Sequence, residues 1–211
     1  MNKLGAALGL VLLSLVAAPT TASAAPILFS CVTNNTGSCS GYANLITGDV
    51  SVTGNQLTVT VTNGAGGGIS ELYADTPITG FSLTGLYEGA GVDFEFGGAP
   101  PNVPGGNTAT PVFVSDFMAQ ASSSAGRINL GETGGLVFTL APSQTQGQIE
   151  ALLASGALRF GLHIQSLGPN SQSEGMISTF TPPTTVPEPA TMLLLGTGLL
   201  AAARARRKKV S

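Results

Sequence analysis

GDVSVTGNQLTVTVTNG, residues 48–64, decides the fold class. Val50, Val52, Leu57, Val59 and Val61 alternate with Ser and Thr on either side of Gly54-Asn55. A period of two is the repeat of a strand with one buried face, and Gly-Asn between two such runs is a hairpin turn. A two-residue turn sets Thr53 against Gln56, Val52 against Leu57 and Val50 against Val59, which gathers the apolar side chains on one face.

The same alternation recurs outward from this hairpin. In VDFEF, Val92, Phe94 and Phe96 stand opposite Asp93 and Glu95; in ALRFGLHIQ, Leu158, Phe160, Leu162 and Ile164 stand opposite Arg159, His163 and Gln165. Shorter strand candidates are 78–86, 111–117, 126–130 and 136–140, each bounded by Gly, Pro or Asn. One helix interrupts them: QTQGQIEALLASG places Ile149, Leu152 and Leu153 at helical spacing and stops at Gly156. Residues 97–107, dense in Pro and Gly, read as a loop. Strands at this spacing predict an all-β domain, an antiparallel β-sandwich of jelly-roll-like type with one short helix at an end.

Composition agrees. The chain has 211 residues, 29 of them Gly, no Trp and only 9% charged residues, which suits short strands and tight turns. At the N-terminus, Lys3 precedes an uncharged apolar run over 4–18, and Ala22-Ser23-Ala24 offers a small-residue cleavage signal before Ala25. That is the pattern of a secretory signal peptide over residues 1–24. Cys31 and Cys39, the only cysteines, then fall in an oxidising compartment and read as one disulfide. The divisions expected are signal helix 1–24, β domain 25–180, a Pro/Thr-rich tether 181–189, and a short membrane segment with basic tail 190–211.

Catalytic or metal-binding signatures are absent from this reading of the body. His163 is the only histidine, and its alternation puts it on a solvated strand face. Asp93 and Glu95 read as the wet side of a strand, although paired carboxylates are what a surface hydrolase or a calcium site would use. Gly64–Gly68 is a turn without the Lys or Ser/Thr of a phosphate loop, and Asn34-Asn35-Thr36 matches a glycosylation sequon. No cofactor and no metal are expected, and the acidic body argues against nucleic-acid partners.

Charge is sorted along the chain. Between Ala25 and Ala203 there are eleven Asp and Glu against Arg127 and Arg159, a net of 2 − 11 = −9, whereas Arg204, Arg206, Arg207, Lys208 and Lys209 crowd the C-terminus. The apolar stretch 190–203 that precedes them reaches about 21 Å as a helix, short of a ~30 Å hydrocarbon core. The basic cluster orients it with the tail inside and the β domain outside.

VPEPATMLLLGTGLLAAARARRKK, residues 186–209, resembles the PEP-CTERM sorting signal of Gram-negative bacteria in its three parts: Pro187-Glu188-Pro189, an apolar segment, and a basic end. The resemblance implies processing by exosortase, an integral membrane cysteine transpeptidase-like enzyme, with Pro187, Glu188 and Pro189 as recognition residues and the basic cluster as membrane stop. It further implies transfer to the outer surface, in a group linked to extracellular polysaccharide and biofilm gene sets. Stretches of the body such as VSVTGNQLTVTVTN are similar to secreted β-rich members. Two prolines hold Glu188 in extended backbone ahead of the membrane segment.

The sequence therefore reads as an exported, non-enzymatic surface or matrix protein. Its expected partners are the Sec translocon, signal peptidase, exosortase, the membrane in passing, and extracellular polysaccharide. Rivals are an unprocessed bitopic membrane protein, a surface hydrolase using His163 or the Asp93 and Glu95 pair, and a carbohydrate-binding module with Tyr42, Tyr73 or Tyr87 as aromatic platform.

Overall fold

The computed structural model describes residues 24–76, 79–98 and 101–182. In chain order the elements are β1 (Ala25–Cys31), α1 (Cys39–Ala43), β2 (Ile46–Thr53), β3 (Gln56–Asn63), β4 (Gly68–Asp75), β5 (Phe81–Glu88), β6 (Phe94–Phe96), β7 (Phe117–Ala121), β8 (Thr133–Leu140), α2 (Gln146–Ser155), β9 (Arg159–Leu167) and β10 (Gln172–Thr179), with a 3-10 turn at Gly106–Thr108.

The hairpin forms in the expected register. Thr53 faces Gln56, Val52 faces Leu57, Val50 faces Val59, and Gly54 takes φ +63° at the first turn position. Val50, Leu57, Val59 and Val61 are buried on one face.

The expected antiparallel β class holds. All ten strands belong to one hydrogen-bonded sheet in the order β5-β8-β3-β2-β1-β10-β9-β4-β7-β6, where a jelly-roll-like sandwich has two. The sheet coils until its ends approach. Phe138 of β8, one place from one end, stacks edge-on against Phe117 of β7, one place from the other, with centroids 5.5 Å apart. At the seam between the edge strands, the Phe94 amide donates to Glu88 Oε1 at 2.7 Å, so a side chain stands in for a missing ladder bond. Strand twist accumulated over ten strands brings this about, and it encloses one core that includes Ile27, Val59, Leu72, Phe138, Leu162 and Met176.

The two ends of the coiled sheet are covered differently. At one, α2 sits with Ile149 and Leu153 in the core; Thr145 caps it by a reciprocal pair with Gln148, and Gly156 ends it at φ +72°. At the other, the expected disulfide joins Cys31 to Cys39 with Cα atoms 6.1 Å apart, and α1 follows it. Glu174, fully buried, ties that loop to β10: it accepts from Thr33 Oγ1 and, at 2.7 Å, from the Thr36 amide.

Several expectations need correction. Of the expected strand 111–117, residues 111–116 form no strand; they belong to a segment, 101–116, that lies over the outer face of the sheet, and β7 starts only at Phe117. Residues 126–130 contribute one isolated bridge, Ile128 to Ile69. In VDFEF the strand covers Phe94–Phe96, and Phe96 is exposed. α1 is a second helix where one was expected.

Candidate functional site

Three regions carry the functional residues. The first is the end at which the chain enters and leaves the body. β1 and β10 are antiparallel neighbours, with Leu28 opposite Thr179 and Cys31 opposite Met176. The start of β1 and the end of β10 therefore emerge side by side at the α2 end of the sheet. Ala25, the expected first residue after signal cleavage, opens β1 and is 2% exposed, while Ala24 is exposed. Ala22, Pro187, Glu188, Pro189, Arg204, Arg206, Arg207, Lys208 and Lys209 lie outside the described residues, as does the expected membrane segment; among those described, no helix is long and apolar enough to cross a membrane.

The second region is the outer face of β4 and β9. A bulge between Ile69 and Glu71 resets the alternation of β4, so Ile69 faces inward against Ile164 while Glu71, Tyr73 and Asp75 face outward against His163, Gly161 and Arg159. His163 is not the exposed residue expected from sequence. Its side chain is 15% exposed and its Nδ1 lies 2.7 Å from Glu71 Oε2, which also accepts from the Tyr73 hydroxyl at 2.6 Å. The His163 bond, supported by Tyr73 and by the charges of His163 and Arg127, outweighs burial and holds the Glu71 carboxyl below its ordinary range. Burial first, then the bond to Glu71, pushes the Tyr73 phenol up.

Segment 101–116 is seated on this face. Val103 and Phe113 pack with Tyr73, Met118 and Ile177 in a small second core. Arg159 latches the segment: it pairs with Asp75, donates to the Pro111 carbonyl at 2.6 Å and the Val112 carbonyl at 2.7 Å, and lies over the Phe113 ring at 5.3 Å. Asp116 accepts from the Thr76 amide at 2.6 Å and the Asp75 carboxylate from the Val114 amide at 3.2 Å. This is an arrangement for holding a covering segment. Glu71, Tyr73 and His163 are engaged with one another and Arg159 with Asp75, and among the described residues no group of three His, Cys, Asp or Glu is placed to hold a metal.

The third region is the pair Asp93 and Glu95. Each takes a different neighbour, Asp93 the Ser122 hydroxyl at 2.5 Å and Glu95 the Gln120 amide at 2.8 Å. Of the tyrosines offered as a sugar platform, Tyr73 is excluded because it is 1% exposed; Tyr42 is half-buried and Tyr87 is 44% exposed. Sequence reading missed Glu71, Asp75 and Glu174, and offered Tyr73 in a different role. Their signal was an acidic residue inside a strand otherwise buried on both faces, a position that demands a partner.

The model of the PEP-CTERM protein-sorting motif matches residues 185–208, which takes in Pro187-Glu188-Pro189, the apolar stretch and the basic cluster through Lys208. No curated protein and no solved structure matches the chain. The chain is thus an exported protein that carries a PEP-CTERM sorting motif, the signal processed by exosortase at the membrane.

Proposed function

We propose that the chain passes the Sec translocon, loses residues 1–24 to signal peptidase, and is halted by residues 190–203 with its basic tail inside. Exosortase then cuts near Pro187-Glu188-Pro189 and the body goes to the cell surface or extracellular matrix, where it serves a structural or binding role. The matched sorting motif carries this reading. The geometry of the body supports it: both flanks leave from the α2 end, so neither has to wrap round the domain to reach the bilayer. Residues 181–189 span at most about 30 Å when extended, enough to set Glu188 at the membrane surface beneath a folded body.

A non-enzymatic body is part of the same reading. What supports it is that His163 Nδ1 is taken up by Glu71 and that Asp93 and Glu95 are each held by a separate neighbour.

Intact-mass analysis of the protein recovered from cells tests the proposal. Wild-type protein is expected to lack Arg204, Arg206, Arg207, Lys208 and Lys209; replacement of Pro187, Glu188 and Pro189 together by Ala is expected to retain them and leave the protein in the membrane fraction. Retention of those five residues by wild-type protein, or their loss from both proteins, would refute sorting at this motif.

A further inference from the structure

Glu174 is an exception to the usual rule of burial. It is fully buried, and no salt bridge among the described residues includes it; Arg127 donates to Gln165 and Arg159 pairs with Asp75. A carboxylate taken out of water without a counter-charge is costly unless hydrogen bonds replace its hydration. Both oxygens find those bonds in one place. Oε2 accepts from Thr33 Oγ1, and Oε1 accepts from the Thr36 amide at 2.7 Å. Both donors belong to the loop that the Cys31–Cys39 bond closes.

Little else holds that loop down. Residues 33–38, TNNTGS, belong to neither hydrophobic cluster of the described residues. Beyond them α1 buries only Cys39 and Ala43, and Cys39 is itself half of the bridge. The remaining ties run to β10 and are polar: Thr33 Oγ1 accepts from the Gly175 amide at 2.8 Å, and Asn35 Nδ2 donates to the Ser173 carbonyl at 2.7 Å. The burial of Glu174 is thus conditional on a loop that is closed covalently rather than packed.

We propose that the disulfide is a redox latch on this carboxylate. In the oxidised protein the closed loop keeps Thr33 and Thr36 over Glu174; in the reduced protein residues 33–38 lift from β10 and the carboxylate is hydrated. A dithiol of the surroundings drives the change: it gives up two electrons and two protons and becomes a disulfide, while Cys31 and Cys39 become thiols. Cys31 is half-buried where Cys39 is 1% exposed, so Cys31 is the more open of the two to attack. The opened form bares a negative charge and a polar segment at the α1 end and leaves the ten-stranded sheet in place.

The test is amide hydrogen exchange on the full chain, residues 1–211, in detergent micelles, before and after treatment with dithiothreitol. Reduction is expected to bring the Thr36 amide to within about tenfold of its free-peptide rate while the β3 amides stay protected more than about a hundredfold. Glu174→Gln removes the charge that gains from hydration, so its reduced form is expected to keep Thr36 at least about tenfold better protected than reduced wild type. A Thr36 amide still protected in reduced wild type overturns the latch, and so does loss of protection in β3 alongside it, which would give the disulfide to the whole domain. Equal Thr36 rates in reduced wild type and reduced Glu174→Gln would take the carboxylate out of the device and overturn it as well. If Glu174→Gln does not fold, carbon-13 NMR titration of wild type decides. Burial pushes the Glu174 carboxyl up and the bonds from Thr33 and Thr36 outweigh it, so reduction is expected to return its titration from below to the ordinary carboxylate range; an unmoved titration overturns the proposal.

Discussion

Replacing Arg159 with Met tests how segment 101–116 is held. The guanidinium faces the Asp75 carboxylate, two loop carbonyls and the Phe113 ring, and the two charged side chains are only 12% and 9% exposed. Methionine keeps much of the packing volume but leaves the Asp75 carboxylate with the Val114 amide alone, and breaking such a pair from one side costs about 3–5 kcal/mol. Replacing both, Arg159→Met with Asp75→Asn, removes the stranded charge, so the double variant is expected to lose clearly less than the two single losses combined, with a coupling of about 1–3 kcal/mol. Urea unfolding at constant slope gives each value. Limited proteolysis supplies a second readout: Val112 and Val114, already about half exposed, lie on the freed segment, and cleavage there is expected in Arg159→Met before the sheet unfolds. A loss under about 1 kcal/mol for Arg159→Met, or strict additivity in the double variant, would show that the latch has been misread.

Other perturbations address the rest of the body. Phe138→Ala removes the ring that meets Phe81, Phe117 and Phe160 across the coiled sheet and is expected to cost about 3–5 kcal/mol in the same urea assay; a loss near 1 would deny it a central place in the core. Cys31→Ser with Cys39→Ser opens a short loop and is expected to cost about 2.5 kcal/mol by chain entropy, with thermal melting as the check. Glu71 and Glu174 are both held below the ordinary carboxylate range; for Glu174, burial pushes the group up, but bonds from Thr33 and Thr36 outweigh it. Their contribution is complete above about pH 4.5 and is lost as pH falls through the depressed values, so stability is expected to be level from pH 7 to 5 and to decline below that. Glu71→Gln should flatten the acid decline measured by urea midpoint against pH.

What could be read beforehand followed from how many faces each strand has covered. β2 and β3 have one wet face, so their alternation gave register as well as type, and Thr145, Gln148 and Gly156 marked α2 by local chemistry alone. β4 and β10 are covered on both sides, by the core and by segment 101–116 or the disulfide loop, and GISELYAD accordingly shows no period of two. The misreading of 111–117 has the same origin. Phe113 is buried between exposed Val112 and Val114, so a segment laid over a sheet imitates a strand without pairing. Glu71 and His163 meet only because a bulge shifts the phase of β4, and no residue pattern announced it. The disulfide and sorting motif were legible because each depends on a few residues at short spacing.

The fate of the two arginines in the body has a consequence outside the cell. The sequence has lysine only at Lys3, Lys208 and Lys209, so Arg127 and Arg159 are the sole basic side chains between the expected cleavage points. Arg159 opens β9, bonded to strands on both sides, and Arg127 precedes the Ile128 bridge while donating to Gln165. Trypsin-like enzymes, which require a cation in backbone free to extend, meet Arg159 inside a paired strand and Arg127 partly buried and bonded to Gln165. If processing runs as proposed, the body keeps two arginines, each held by the sheet or by a neighbouring side chain.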